Sequence, residues 1–82
     1  MKNYEKFPPT HPGEIIANRF FKVRNLTVEK VAKDICLPFY QLQELIEGRR
    51  GIDIDIAARL GIYFQVGAEG FLNLQQIYDL EI

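Results

Sequence analysis

The stretch TVEKVAKDICLPFYQLQELIE, residues 27–47, decides the fold. Thr27 offers its hydroxyl to the orphan backbone N–H groups of a following turn, which makes it an N-cap. Val28, Val31, Ala32 and Ile35 then recur at helical spacing, so a helix is predicted over roughly residues 28–35. Cys36-Leu37-Pro38 interrupts it, because proline disfavours helix in the residue before it and suits the first turn of the next. A second helix is predicted over roughly residues 38–47, with Leu42, Leu45 and Ile46 apolar and Gly48 as its stop. Two helices joined by so short a turn must cross steeply. Steep crossing needs a small residue at the contact, apolar anchors beneath the second helix and an opposite face left free. Ala32 is the small contact, and Val31, Ile35, Leu37, Leu42 and Leu45 are the anchors. Counted from Val28, these residues take the fourth, fifth, eighth, tenth, fifteenth and eighteenth places of a helix-turn-helix. A helical hairpin with a short turn could mimic the pattern.

Outward from this core, residues 1–10 with Pro8-Pro9 read as an N-terminal arm, and residues 11–82 as one domain. A first helix is predicted from Pro12 to Val23, with Pro12 at its first position, Glu14 favouring the dipole, and Ile15, Ile16, Phe20 and Val23 on its apolar side. His11 is read as part of its cap. Beyond the basic turn Arg49-Arg50-Gly51, the run Ile52-Asp53-Ile54-Asp55-Ile56 alternates like a strand. Five residues with no pairing partner elsewhere do not make a sheet. Read as helix, Asp53 is the N-cap, Ile52 and Ala57 form a hydrophobic staple, and the helix runs over roughly residues 54–64. It tolerates Gly61 at a cost of about 1 kcal/mol. Gly67 caps a last helix, roughly residues 68–78, whose Phe71, Leu74 and Tyr78 share one stripe. The fold class is all-α, with five short helices.

Composition excludes several functions. With 82 residues, 48% of them hydrophobic and 26% charged, the chain suits one small soluble domain. No apolar run approaches the roughly 20 residues that span a bilayer, and residues 1–6 lack the apolar stretch of a signal peptide. A cytoplasmic protein without membrane association is expected. One cysteine and one histidine cannot build a Cys/His metal site within a chain, so no metal and no cofactor are expected. Cys36, between Ile35 and Leu37, is read as a buried, inert thiol. No nucleophile–base pair or glycine-rich phosphate loop points to an enzyme. The net charge of −1 is uneven: residues 1–33 carry +4 and residues 34–82 carry −5. That polarity suits a basic face for DNA and an acidic back, as it also suits ordinary surface charge.

Three further stretches carry a family resemblance. His11-Pro12-Gly13-Glu14-Ile15-Ile16 resembles the HPGEIL opening of the HigA-type (VapI-like) antitoxins of the Xre, lambda-repressor-like group. Glu47-Gly48-Arg49-Arg50-Gly51-Ile52 resembles the family's NGKRGI turn, and Phe71-Leu72-Asn73-Leu74-Gln75 with Tyr78-Asp79-Leu80-Glu81 resembles its FWLNLQ…YDLE ending. Together they keep the family's spacing and cover nearly everything from residue 11 to 82. The resemblance implies a five-helix lambda-repressor-like domain and an operator-binding homodimer acting as a transcriptional repressor. It also implies, beside a toxin gene, a ribosome-dependent mRNA-interferase partner of the HigB (RelE-like) class. The chain departs from the pattern at Pro38, where serine is common, at Cys36, where glycine is common, and at Gly67-Ala68, where Ser-Pro is common.

The second helix of the motif would then read bases through Phe39, Tyr40, Gln41 and Gln43. It carries no Arg or Lys there, so direct recognition of guanine through arginine is absent. Gln41 and Gln43 suit adenine, and Phe39 and Tyr40 suit thymine methyls. Thr27, with the N–H groups at the start of its helix, and Arg49 and Arg50 are the expected phosphate contacts. Phe71, Leu74 and Tyr78 are the expected dimerisation residues. The alternative reading is a protein-binding helical module that has lost DNA reading, motivated by a second helix read as neutral and by its exposed aromatics.

Overall fold

The computed structural model of the chain describes residues 10–81. The arm predicted over residues 1–10 therefore lies, apart from Thr10, outside the described residues. Five α-helices follow in order: α1 (Pro12–Ile16), α2 (Val28–Asp34), α3 (Phe39–Ile46), α4 (Ile54–Phe64) and α5 (Gly67–Glu81). A π-helical segment, Ala17–Phe21, continues α1, and no strand occurs among the described residues.

His11 caps α1 as expected, its Nδ1 accepting the Gly13 N–H at 2.9 Å. The helix predicted over residues 12–23 forms as one helical run over residues 12–21, but its second half is π-helical rather than α-helical. After Ile16 the backbone widens, and the Lys22 N–H donates to the Ala17 carbonyl at 2.9 Å, five residues back. With the wider turn, Ile16 and Phe21 are both buried while Phe20 still packs on the core. An α-helix would have carried one of two adjacent phenylalanines outward. Val23, counted in the apolar stripe, is 73% exposed beyond this shift.

The two helices of the motif form where expected. Thr27 caps α2, its Oγ1 accepting the Lys30 N–H at 3.1 Å, and Pro38 precedes α3. Val31, Ala32, Ile35, Leu37, Leu42 and Leu45 are all buried. Cys36 is not: it is exposed, at φ +59°, in the left-handed region. Its neighbours Ile35 and Leu37 both turn inward, and the corner between them sends the thiol outward. Glycine suits that corner, having no Cβ to crowd the following carbonyl.

Asp53 caps α4, its Oδ1 accepting the Ile56 N–H at 2.8 Å, so the alternating run is the start of a helix. α4 and α5 make the most extensive helix pair. Gly61 is why they fit: a Cβ there would collide with the backbone of Gly67 and Ala68. α5 runs on to Glu81 because no breaker follows Tyr78. Phe20, Phe64 and Phe71 cluster, with Phe20–Phe64 and Phe20–Phe71 centroids 4.9 and 5.1 Å apart. The Arg24 guanidinium lies over Phe20 and Phe64 at 5.6 and 5.3 Å.

α1 stands end-on against α3. A Cβ on Gly13 would overlap the Leu45 carbonyl, so only glycine allows this approach. Gly13→Ala is expected to lower stability by about 2–3 kcal/mol. Gly70→Ala, at an open position inside α5, should instead raise it by about 0.5–1 kcal/mol. Thermal unfolding separates the two, at roughly 4–8 °C per kcal/mol for a domain of this size.

His11 adds a pH dependence. Partial burial, with the ring edge-on to Tyr78 at 5.0 Å, holds its pKa below the ordinary value, and protonation of Nδ1 would end the cap. The unfolded chain then binds the proton more readily, so stability rises with pH. It should be complete above about pH 6.5 and fall as pH drops from there toward the lowered folded value. Denaturant midpoints between about pH 7 and 5.5 test this: His11→Asn, which caps without titrating in that window, should flatten the slope.

Candidate nucleic-acid interface

α3 is fixed from below. Leu42 and Leu45 are fully buried, so the opposite side of the helix faces out. At 100° per residue that side carries Tyr40, Gln43, Glu44 and Glu47, an i, i+3, i+4, i+7 stripe. Tyr40 is 59% exposed, with Phe39 47% exposed on one flank and Gln41 half-buried on the other. Among the described residues no other helix covers this side, and the four expected reading residues lie on it or beside it.

Two residues were missed. Glu44 and Glu47 share the stripe, and the spacing from Tyr40 was the signal that could have found them. Both engage the expected phosphate contacts. Arg50 sends Nε and Nη2 to Glu44 Oε1, each at 3.1 Å, and Arg49 Nε lies 3.6 Å from Glu47 Oε1. Gln43 Nε2 donates to Glu47 Oε2 at 2.7 Å. The two guanidinium groups thus sit beside the C-terminal half of α3, with Arg49 well exposed and Arg50 partly covered.

The motif is also braced from behind. Arg59 of α4 donates Nη1 to the Ile35 carbonyl at 2.7 Å and to the Cys36 carbonyl at 3.3 Å, capping the end of α2. Its Nε meets both carboxylate oxygens of Asp55 at 3.1 Å. Tyr63, also on α4, donates its hydroxyl to Asp34 Oδ2 at 2.7 Å, where Lys30 Nζ lies at 2.9 Å. Hydrogen bonds from Lys30 and then Tyr63 hold the Asp34 carboxyl below its ordinary range, and the same partner raises Lys30 and Tyr63. These contacts fix the turn through which α3 is aimed.

The expected dimerisation residues fare differently. Phe71 is 1% exposed inside the subunit and is closed to a second copy, because α5 must bury its central aromatic to hold α4. Leu74 is half-buried against the core, and Tyr78 is half-buried beside His11. Ile77 and Leu80 lie on the outer face of α5, Leu80 at 80% exposure. Among the described residues no group of three or more His, Cys, Asp or Glu side chains could hold a metal.

No protein-family model matches the chain. It is 35% identical over 77 residues to virulence-associated protein I of Dichelobacter nodosus, covering 94% of this chain and 71% of the relative. Among solved structures it resembles PA4674 of Pseudomonas aeruginosa in complex with its 18-bp operator DNA, with a TM-score of 0.87 and 33% identity over 89% of this chain and 78% of the other. It also resembles the antitoxin HigA of Pseudomonas aeruginosa with the higBA promoter, with a TM-score of 0.85 and 33% identity over 88% and 78% of the two chains.

The brace gives a test. Arg59→Ala leaves two carbonyls at the motif's turn without their charged donor and should lower stability by about 1–2 kcal/mol, after allowance for partial exposure. Asp55→Ala removes only the exposed partner one turn away and should cost less than about 0.5 kcal/mol. Urea unfolding of the two variants compares them.

Proposed function

The chain belongs to the HigA-type (VapI-like) antitoxins of the Xre, lambda-repressor-like helix-turn-helix family, and we propose that it is a sequence-specific DNA-binding repressor that autoregulates its toxin–antitoxin operon. The observation that carries this is α3 anchored by Leu42 and Leu45 with its opposite side turned outward, in a fold shared with relatives solved on operator and promoter DNA. Phe39, Tyr40, Gln41 and Gln43 meet base edges, while Thr27, Arg49 and Arg50 position the backbone.

Two copies bind together. Ile77 and Leu80 extend along the outer face of α5 with Leu74 and Tyr78 at its edge, an apolar surface suited to a second α5. A homodimer presents two α3 helices to half-sites about 34–36 Å apart. A toxin of the HigB (RelE-like) class is the protein partner that the repressor neutralises, and both act in the cytoplasm. Among the described residues no helix is long and apolar enough to cross a membrane. The role is binding rather than catalysis.

One observation favours a second reading. Glu44 and Glu47 on the outer stripe add negative charge where phosphates approach. A module that holds a protein partner and no longer reads DNA would tolerate them. The two readings part on a gel-shift titration against the DNA upstream of the gene. With two or three phosphate contacts per subunit, log affinity should fall against log salt with a slope of about −4 to −5. Arg50→Ala should weaken binding by a similar factor on all sequences and make the slope shallower by about 1–2 for a dimer. No shift at low salt, with the toxin still co-purifying, would establish the second reading instead.

A further inference from the structure

The outer stripe of α3 is furnished with acceptors. Glu47 can only accept, so the Gln43 amide nitrogen must be the atom that faces it across 2.7 Å, and Gln43 Oε1 is turned away as an acceptor. On Glu44 both Arg50 contacts fall on Oε1, which leaves Oε2 to accept among the described residues. No ammonium or guanidinium stands on α3 itself, whose sequence is FYQLQELI. The two arginines that follow it are drawn to these same carboxylates.

Base edges in the major groove divide along this line. Adenine N6 and cytosine N4 donate, whereas guanine offers N7 and O6 and thymine offers O4, all acceptors. Every base pair therefore carries one amino group in the groove, and its position tells which strand holds adenine or cytosine. Carboxylate oxygens pair with the cytosine amino group and are repelled by the guanine edge. Resting on the DNA-binding reading above, we propose that α3 specifies adenine or cytosine on the strand it faces, through amino hydrogen bonds to Gln43 and Glu44, and that guanine on that strand is excluded. The operator half-site is then read through its amino groups, without the arginine–guanine pairing that is the commonest specific contact in the major groove.

Functional-group substitution in the DNA tests this. The full chain is used to select duplexes from a random library, and each enriched base under the α3 footprint is replaced singly. Purine in place of adenine and 2-pyrimidinone in place of cytosine both lack the amino group, and 7-deazaguanine lacks N7. Loss of an amino group at a contacted position should weaken binding by about 5- to 100-fold, and 7-deazaguanine by less than about twofold. Glu44→Ala and Gln43→Ala should each flatten the preference at one position per half-site while thermal unfolding remains cooperative. A merely structural role would leave the base preference unmoved. Loss of binding with 7-deazaguanine under the footprint, or unchanged enrichment in both variants, would overturn the proposal and leave the repressor reading intact. Absence of any shift at low salt would instead remove the repressor reading itself.

Discussion

Burial of Leu42 and Leu45 governs the rest of the molecule. An isolated eight-residue helix does not persist in water, since nucleation costs more than so few hydrogen bonds return. α3 exists because these two leucines, each contributing about 2–3 kcal/mol of apolar burial, are covered completely. Supplying that cover from one side only is the harder condition. α1 reaches the end of α3 through Gly13, and α2, with Val31 and Ala32 buried, packs against it as well. Among the described residues no other helix covers the opposite face, where Tyr40 stands in solvent.

The second requirement is direction. A helix held by two side chains can still rock, and a reader that rocks loses register with the bases. Here the corner before α3 is tied by Arg59 and by the Tyr63–Asp34 contact to α4, the helix best secured in the core. Arg59 also explains a basic residue in the acidic half of the chain. Its charge serves a pair of backbone carbonyls and one carboxylate rather than a ligand.

Much of this was legible in the sequence, and what was not has physical causes. The lack of a pairing partner ruled a strand out of the alternating run, and Asp53 was readable as its cap because a side-chain cap is local and needs no tertiary partner. The helix-turn-helix was legible because its six inward positions are all apolar or small. The π-helical segment was not, because adjacent Phe20 and Phe21 both face the core only once the tertiary cluster with Phe64 and Phe71 exists. Cys36 misled because apolar neighbours usually signal burial, whereas a left-handed corner reverses the direction of the residue within it. At the site, attention to aromatic and amide chemistry at the start of α3 passed over Glu44 and Glu47. Helical spacing alone sets them beside Tyr40 and Gln43. Phe71 was read as part of a core stripe that also serves a second copy, and within the subunit it is used up, because Phe20 and Phe64 already surround it.

The α4–α5 hairpin bears on how the chain reaches this state. Its helices are joined by only two residues and meet closely at Gly61, so its contacts are short-range and its closure belongs to microsecond events. The seat of Gly13 on the Leu45 carbonyl joins residues more than thirty positions apart, a longer loop to close. Assembly is therefore expected to begin in the C-terminal half, with α1 docking late. A newly made chain would hold a formed scaffold before it held an aimed reader.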